Sequence, residues 1–146
     1  FKFTVSPDGR TLLAGINAGT HSASLVAATR DTTTGLLSNA TPGLISGGEN
    51  VLSLDAAPQM GTDIVVCTTT TGIFVLRTNG PSTAIVAQKA RVLDHAVLHP
   101  TQSRLYASPS GSLEWYSLST TQVTLEGSTA VTTSNLVFTP DGRYLL

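Results

Sequence analysis

Three residues near the middle of the chain have side chains that readily bind a metal ion. Asp94, His95 and His99 lie close together in the segment DHAVLHP. On a helix, two histidines four residues apart share a face and could bind zinc. On a strand they also share a face, but stand about 13 Å apart at ~3.3 Å per residue. Because Pro100 biases His99 toward extended backbone, we expect turn hydrogen bonds at a strand end, with no metal site and no cofactor.

The remaining reactive side chains do not form a recognisable catalytic motif. His21 lies in INAGTHSASL, a predicted loop, and a catalytic histidine would need a nucleophile and an orienting carboxylate nearby. The sequence contains neither a Gly-x-Ser-x-Gly motif nor a phosphate-binding loop. Cys67 lies in the apolar run DIVVCTTTT without a basic neighbour, which is typical of a buried strand residue. We therefore predict no catalytic residue, and the sequence favours a protein that is not an enzyme.

The composition of the chain indicates which classes of partner and which compartment to expect. Only 12% of the residues are charged and the formal net charge is -1. Nucleic-acid-binding proteins usually show clustered Lys and Arg, so we expect no direct contact with nucleic acid. No apolar run approaches the ~20 residues that a membrane helix needs, so we expect no membrane insertion in this segment. The single cysteine fixes no compartment, and our expectation is an intracellular protein of the cytoplasm or nucleus.

Pro-Asp-Gly-Arg occurs twice, each time between apolar residues. In VSPDGRTLL, Pro7 presets φ for a tight turn, Asp8 can accept a backbone hydrogen bond, and Gly9 tolerates a left-handed conformation. We expect a short hairpin at each copy. Arg10 completes the first copy, and the second consists of Pro140, Asp141, Gly142 and Arg143.

Looser copies of the same hairpin lie between these two. LDAAPQMGTDIVV keeps a proline at position 58, and VLHPTQSRLYA keeps Pro100 and Arg104. Prolines at 7, 58, 100 and 140 thus recur roughly every 40 to 50 residues, a period typical of propellers and solenoids. Each unit contains four predicted strands, and helical periodicity is absent throughout. We predict an all-β chain with units at about 1–49, 50–90 and 91–132, followed by an incomplete unit at 133–146.

DHAVLHPTQSRLYASPSGSLEWYSLST resembles a WD40-type blade, and TTGIFVLRT resembles the third strand of such a blade. The chain has Tyr116-Ser117 where that family places Trp-Asp, and Gln88-Lys89 where it places Gly-His. The first unit is also similar to lactonase-type propeller repeats. The resemblance implies a β-propeller with blades of four antiparallel strands: three blades plus the first hairpin of a fourth, within a larger closed ring. The same longer chain or another subunit would supply the remaining blades.

This resemblance implies a non-enzymatic scaffold that binds other proteins within a larger assembly. Binding residues of rigid folds concentrate on loops, here those before the first strand and between the second and third strands of a blade. The candidate partner-binding residues are Lys89, Arg91, Ser108 and Ser110.

Two alternatives stay open: a lactonase-like propeller enzyme, and a ligand- or sugar-binding surface propeller. An enzyme should gather charged side chains at the channel mouth, so convergence of three or more would favour it and scatter would favour a scaffold. A glycan on Asn39, in the sequon NAT, would favour the surface protein. The residues to map are Asp8, Arg10, His21, Asp94, His95, His99 and Glu114.

Overall fold

The computed structural model describes residues 2–15, 25–42, 45, 49–133 and 135–146. Every regular element among them is a β-strand, and none of them belongs to a helix. The strands are β1 (Lys2–Val5), β2 (Thr11–Gly15), β3 (Leu25–Arg30), β4 (Leu37–Pro42), β5 (Val51–Ala56), β6 (Ile64–Thr69), β7 (Gly72–Asn79), β8 (Ser82–Ala90), β9 (His95–Leu98), β10 (Arg104–Ser108), β11 (Leu113–Leu118) and β12 (Val123–Thr129).

The twelve strands form three separate four-stranded sheets. Each sheet pairs its strands in chain order, β1-β2-β3-β4, β5-β6-β7-β8 and β9-β10-β11-β12, and every pairing is antiparallel. Such a meander forms from successive local hairpins, so the turn chemistry of the chain largely determines it. The all-β prediction and the four-stranded blades are confirmed.

The middle sheet packs against both of its neighbours. Alternate side chains of β6 point to opposite faces: Val65 and Cys67 enter one core with Leu13 of the first sheet. Ile64 and Val66 enter a second core, which includes residues of the third sheet. Burial on both faces explains why β6 reads as an uninterrupted apolar run. The sheets therefore stack as blades of a propeller, with β1, β5 and β9 as neighbouring inner strands.

A further hairpin packs against the third sheet. Phe138 bridges Leu145 in an antiparallel arrangement, and its ring lies 4.8 Å from the His99 ring and 5.2 Å from the Tyr106 ring. This is the predicted first hairpin of a fourth blade. At the opposite end of the open arc, Phe3 is 74% exposed.

The two Pro-Asp-Gly-Arg turns share one hydrogen-bond pattern. In the first, the Gly9 amide donates to the Ser6 carbonyl at 2.8 Å, and the Arg10 amide donates to the Asp8 carboxylate at 3.0 Å. Gly9 has a φ of 75°, the left-handed conformation that glycine adopts without strain. The second turn repeats both contacts: Gly142 donates to Thr139, and Arg143 donates to Asp141. Pro7 and Pro140 occupy the same position in their turns.

Hydrogen bonds connect the turns of successive blades. The Asp8 amide donates to the Thr62 carbonyl at 2.7 Å, and the Gln59 amide group donates to the Gln102 carbonyl at 3.1 Å. His99, beside Pro100, accepts backbone hydrogen bonds from residues 101 and 102 on Nδ1, so Nε2 carries the proton and donates to the Gly142 carbonyl at 3.1 Å. These hydrogen bonds connect the turns at the far ends of the inner strands. His99 forms turn hydrogen bonds, as predicted from the sequence.

Candidate functional site

A cleft of about 460 Å³ opens where the inner strands begin, at the end of the blades opposite to the hydrogen-bonded turns. Residues at the starts of β1, β5 and β9 form its walls, together with a segment before the fourth hairpin. Because inner strands surround the channel of a propeller, this cleft lies at the channel mouth; we call it the mouth pocket. Its polar lining residues are Lys2, Asn50, Ser53, Thr70, Asp94, His95 and Asn135.

The linker between β8 and β9 is held by three backbone hydrogen bonds. The Arg91 and Leu93 amides donate to the carbonyls of residues 71 and 70, at 2.9 and 3.2 Å. The Asp94 amide donates to the Ser108 carbonyl at 3.0 Å. Leu93 is fully buried in the core between the second and third sheets. The linker is therefore fixed to both blades, and it sets Asp94 and His95 in place at the pocket.

A buried carboxylate reinforces this linker from the third sheet. Glu114 accepts hydrogen bonds from Arg91 Nε, at 3.0 Å, from Arg91 Nη2, and from the Tyr116 hydroxyl. Burial raises the pKa of Glu114, but the bonds from Arg91 and Tyr116 outweigh it and hold the pKa below its usual range. Burial, together with the Glu114 contact, raises the pKa of Tyr116. Glu114 thus stays charged and anchors Arg91.

Two opposite charges face the mouth pocket from its two sides. Lys2 lies on the β1 side and Asp94 on the β9 side, and β5 contacts both strands. Within the described ranges, neither side chain joins an ion pair. Farther along β5, Asp55 has one carboxylate oxygen that is buried without a hydrogen-bond partner. Burial raises the pKa of Asp55, and the Ser53 hydrogen bond and the Lys2 charge offset part of that rise.

The four predicted partner-binding residues lie in different environments. Ser110 is exposed on the turn between β10 and β11, as expected. Arg91 lies in the linker before β9, where a loop was predicted, but its guanidinium group forms an ion pair with Glu114. Lys89 lies within β8, paired with a residue of β7, and not in a loop. Ser108 must be corrected: it ends β10, where it pairs with His95 of β9, and it is only 2% exposed, so its side chain is not available to a partner.

Of the described residues that could mark an enzyme, two reach the mouth pocket. Asp94 and His95 line it, whereas Glu114 lies behind the linker. Three others lie at the far ends of inner strands, and His21 lies outside the described residues. No group of His, Cys, Asp or Glu in the described part of the chain has the spacing of a metal site. The three far-end residues are Asp8, Arg10 and His99.

Sequence reasoning missed several residues of the pocket. Lys2, Asn50 and Asn135 carry no local motif, and only the stacking of the blades brings them together. Asn39, the sequon residue, lies on the exposed strand β4 with a φ of 51°. The described residues form no helix that could span a bilayer.

Solved structures of similar fold cover nearly the whole chain. A functionally unknown protein from Desulfotomaculum acetoxidans matches with a TM-score of 0.70 at 9% identity, over 99% of this chain and 48% of its own. A chain of the mitotic checkpoint complex matches with a TM-score of 0.67 at 15% identity, over 99% and 44%. A protein proposed to be a 6-phosphogluconolactonase, from Bacteroides fragilis, matches with a TM-score of 0.66 at 15% identity, over 98% and 45%.

These likenesses show the fold, the stacked blades of a β-propeller, at identities too low to show more. The sequence matches no protein-family model and no curated protein. The chain spans a little under half the length of the structures that it matches.

Proposed function

We propose that the chain is part of a WD40-like propeller that acts as a non-enzymatic scaffold and binds another protein through the surface around the mouth pocket. Propellers present short loops on rigid sheets, and loops on a rigid scaffold are where binding residues concentrate. The mitotic checkpoint complex among the similar structures supports a role in protein assembly. An intracellular location is part of the proposal.

The observation that carries this proposal is the exposure of Val92 on a rigid linker. Val92 is 71% exposed, although the residues on either side of it are held by backbone hydrogen bonds to the β6–β7 turn. An apolar side chain that is presented without freedom to fold back loses little entropy when a partner covers it. Val131, 41% exposed, lies beyond β12 before the fourth hairpin. We call the exposed residues Arg91, Val92, Ser110 and Val131, together with the half-buried Lys89, the rim surface.

Both ends of the arc also present apolar side chains to solvent. Phe3 is exposed on the first blade, and Tyr144 and Leu146 are 66% and 73% exposed on the fourth hairpin. In a closed propeller, neighbouring blades cover such faces. We propose that further blades, from the same longer chain or from another subunit, complete the ring.

The docking proposal can be tested by comparing two surface substitutions in cells. Val92→Asp places a charge in the middle of the rim surface, and Thr62→Asp places the same charge on the exposed loop after β5, at the other end of the blades. We expect proteins that co-purify with the chain to be lost from Val92→Asp and retained by Thr62→Asp. Retention of the same partners by both variants, or equal loss from both, would contradict docking at the rim surface.

A second candidate is a lactonase-like or ligand-binding function, which the mouth pocket favours. It places Asp94 and His95 side by side in a cleft of small-molecule size, and one similar structure is proposed to be a 6-phosphogluconolactonase. Hydrolysis of a sugar lactone that is abolished by His95→Gln and Asp94→Asn, but retained by Val92→Asp, would replace the scaffold proposal with this one.

A further inference from the structure

The mouth pocket is lined by hydrogen-bonding groups with one charge of each sign. Ser53, Thr70 and Asn135 supply neutral donors and acceptors, while Lys2 and Asp94 supply the charges. Burying an apolar ligand against such walls would remove water from polar groups without replacing its hydrogen bonds. A volume of about 460 Å³ is typical of sites for small molecules. The lining therefore suits a small polar ligand.

The two charges differ in position as well as in sign. Lys2 belongs to the first sheet and Asp94 adjoins the third, and the middle sheet lies between them. The inner strand β5 contacts both β1 and β9 and separates them, so a ligand that reaches both side chains must carry its own charges well apart. An α-amino acid, with its two charged groups on one carbon, is too short for this.

The carboxyl group of Asp55 competes for the charge of Lys2. The buried Asp55 interacts electrostatically with Lys2, but its burial raises its pKa and so favours the neutral form. Its unpartnered oxygen is inaccessible to solvent, so a ligand in the pocket does not contact it directly. The Lys2 ammonium group, which is exposed and outside any described ion pair, remains available to an anionic group.

We infer that the mouth pocket binds a small zwitterion with separated charges, such as an ω-amino acid or a short peptide. The ligand carboxylate contacts Lys2 and the ligand ammonium contacts Asp94. In a short peptide, Ser53, Thr70 and Asn135 can form hydrogen bonds with the amide groups that lie between the two charges. This site is distinct from the rim surface, because Val92 does not line the pocket.

A series of compounds with fixed charges and increasing length tests the inference. Glycine, 4-aminobutanoate and 6-aminohexanoate would be titrated into the folded chain, with binding followed by amide chemical shifts and by calorimetry. Butylamine and butyrate serve as ligands with a single charge. We expect affinity to rise with charge separation, and 6-aminohexanoate to bind about tenfold more tightly than either singly charged compound. The shifted amides should be those of Ser53, Asp94 and His95.

Single substitutions test which side chain of the pocket binds each charged group of the ligand. Lys2→Gln should reduce 6-aminohexanoate to the affinity of butylamine, and Asp94→Asn should reduce it to that of butyrate. Lys89→Gln is the matched control, because Lys89 lies outside the mouth pocket. Val92→Asp should leave zwitterion binding unchanged, so a failure of the docking proposal and a failure of this one are separable.

Three results would overturn the inference. They are the absence of saturable shifts at the mouth pocket, equal affinity for the zwitterions and the singly charged compounds, and equal weakening by Lys89→Gln and Lys2→Gln. Unfolding midpoints of the variants, followed by Trp115 fluorescence, confirm that each one is folded.

Discussion

The ion pair between Arg91 and Glu114 allows a sharp test of how the linker is held. Arg91→Met removes the cation from a buried carboxylate, whereas Glu114→Gln removes the carboxylate from a half-exposed cation. The Glu114 side chain is 7% exposed and the Arg91 side chain is 42% exposed. We therefore expect Arg91→Met to destabilise the chain more than Glu114→Gln.

The size of each effect follows from the hydrogen bonds. Three donors converge on the Glu114 carboxylate: Arg91 Nε, Arg91 Nη2 and the Tyr116 hydroxyl. A glutamine amide, in either orientation, presents its NH₂ group to at least one Arg91 N–H. Water can solvate the released guanidinium, so Glu114→Gln should cost about 2 kcal/mol. Arg91→Met leaves a buried charge with one hydroxyl partner and should cost about 4 kcal/mol.

At acid pH, the free energies of unfolding of the wild type and of Glu114→Gln should differ less than at neutral pH. Arg91 and Tyr116 outweigh burial and lower the pKa of Glu114 in the folded state, so its stabilisation is fully present above the ordinary glutamate value of 4.5. This stabilisation is lost as the pH falls through the lowered pKa of the folded state. The two proteins should therefore differ most near neutral pH and converge in acid.

Urea unfolding followed by Trp115 fluorescence measures these differences, because Trp115 is the only tryptophan. Arg104→Met is the control: Arg104 and Glu126 form a pair at 3.1 Å with 45% and 31% exposure, and its loss should cost less than about 1 kcal/mol. Equal costs for Arg91→Met and Arg104→Met, or a difference from Glu114→Gln that does not change with pH, would refute the reasoning.

Three further outcomes test the fold at single positions. Gly142→Ala should cost about 3 kcal/mol, because a Cβ there would lie 2.6 Å from His99 Cε1, whereas Gly111→Ala, with nothing within 4 Å, should cost only about 1 kcal/mol for its positive φ; equal thermal unfolding midpoints would contradict this. Burial raises the pKa of Cys67 to about 12, so a disulfide reagent at pH 8 should label the native chain only as fast as it unfolds, and labelling at the rate of a free thiol would show that the core between the first and second blades is open. Asn39→Ala should cost about 1 kcal/mol at its φ of 51° while Asn39→Gly changes stability by only a few tenths, which calorimetry can measure.

The strands and turns of this chain could be predicted because they depend on neighbouring residues. Pro7 and Gly9 have local φ preferences that favour a hairpin, and the apolar run around Cys67 suits a strand covered on both faces. The period of the hairpins indicated stacked blades. Solvent exposure was harder to predict: Ser108 begins a turn-like sequence, yet it is the last residue of β10 and is buried. Lys89 was expected in a loop because the apolar pattern of its strand ends before it. The strand β8 continues to Ala90 and includes Lys89.

The sequence by itself determined the hairpins and their repetition, since turn geometry and strand alternation act over about ten residues. Only the tertiary structure decided which side chains meet. Lys2, Asn50, Asp94 and Asn135 come from four different units of the chain, and of these only Asp94 has a sequence neighbour, His95, that marks it as a candidate. They share one pocket because apolar faces pack blade against blade, and that packing brings the starts of the inner strands together around a common channel.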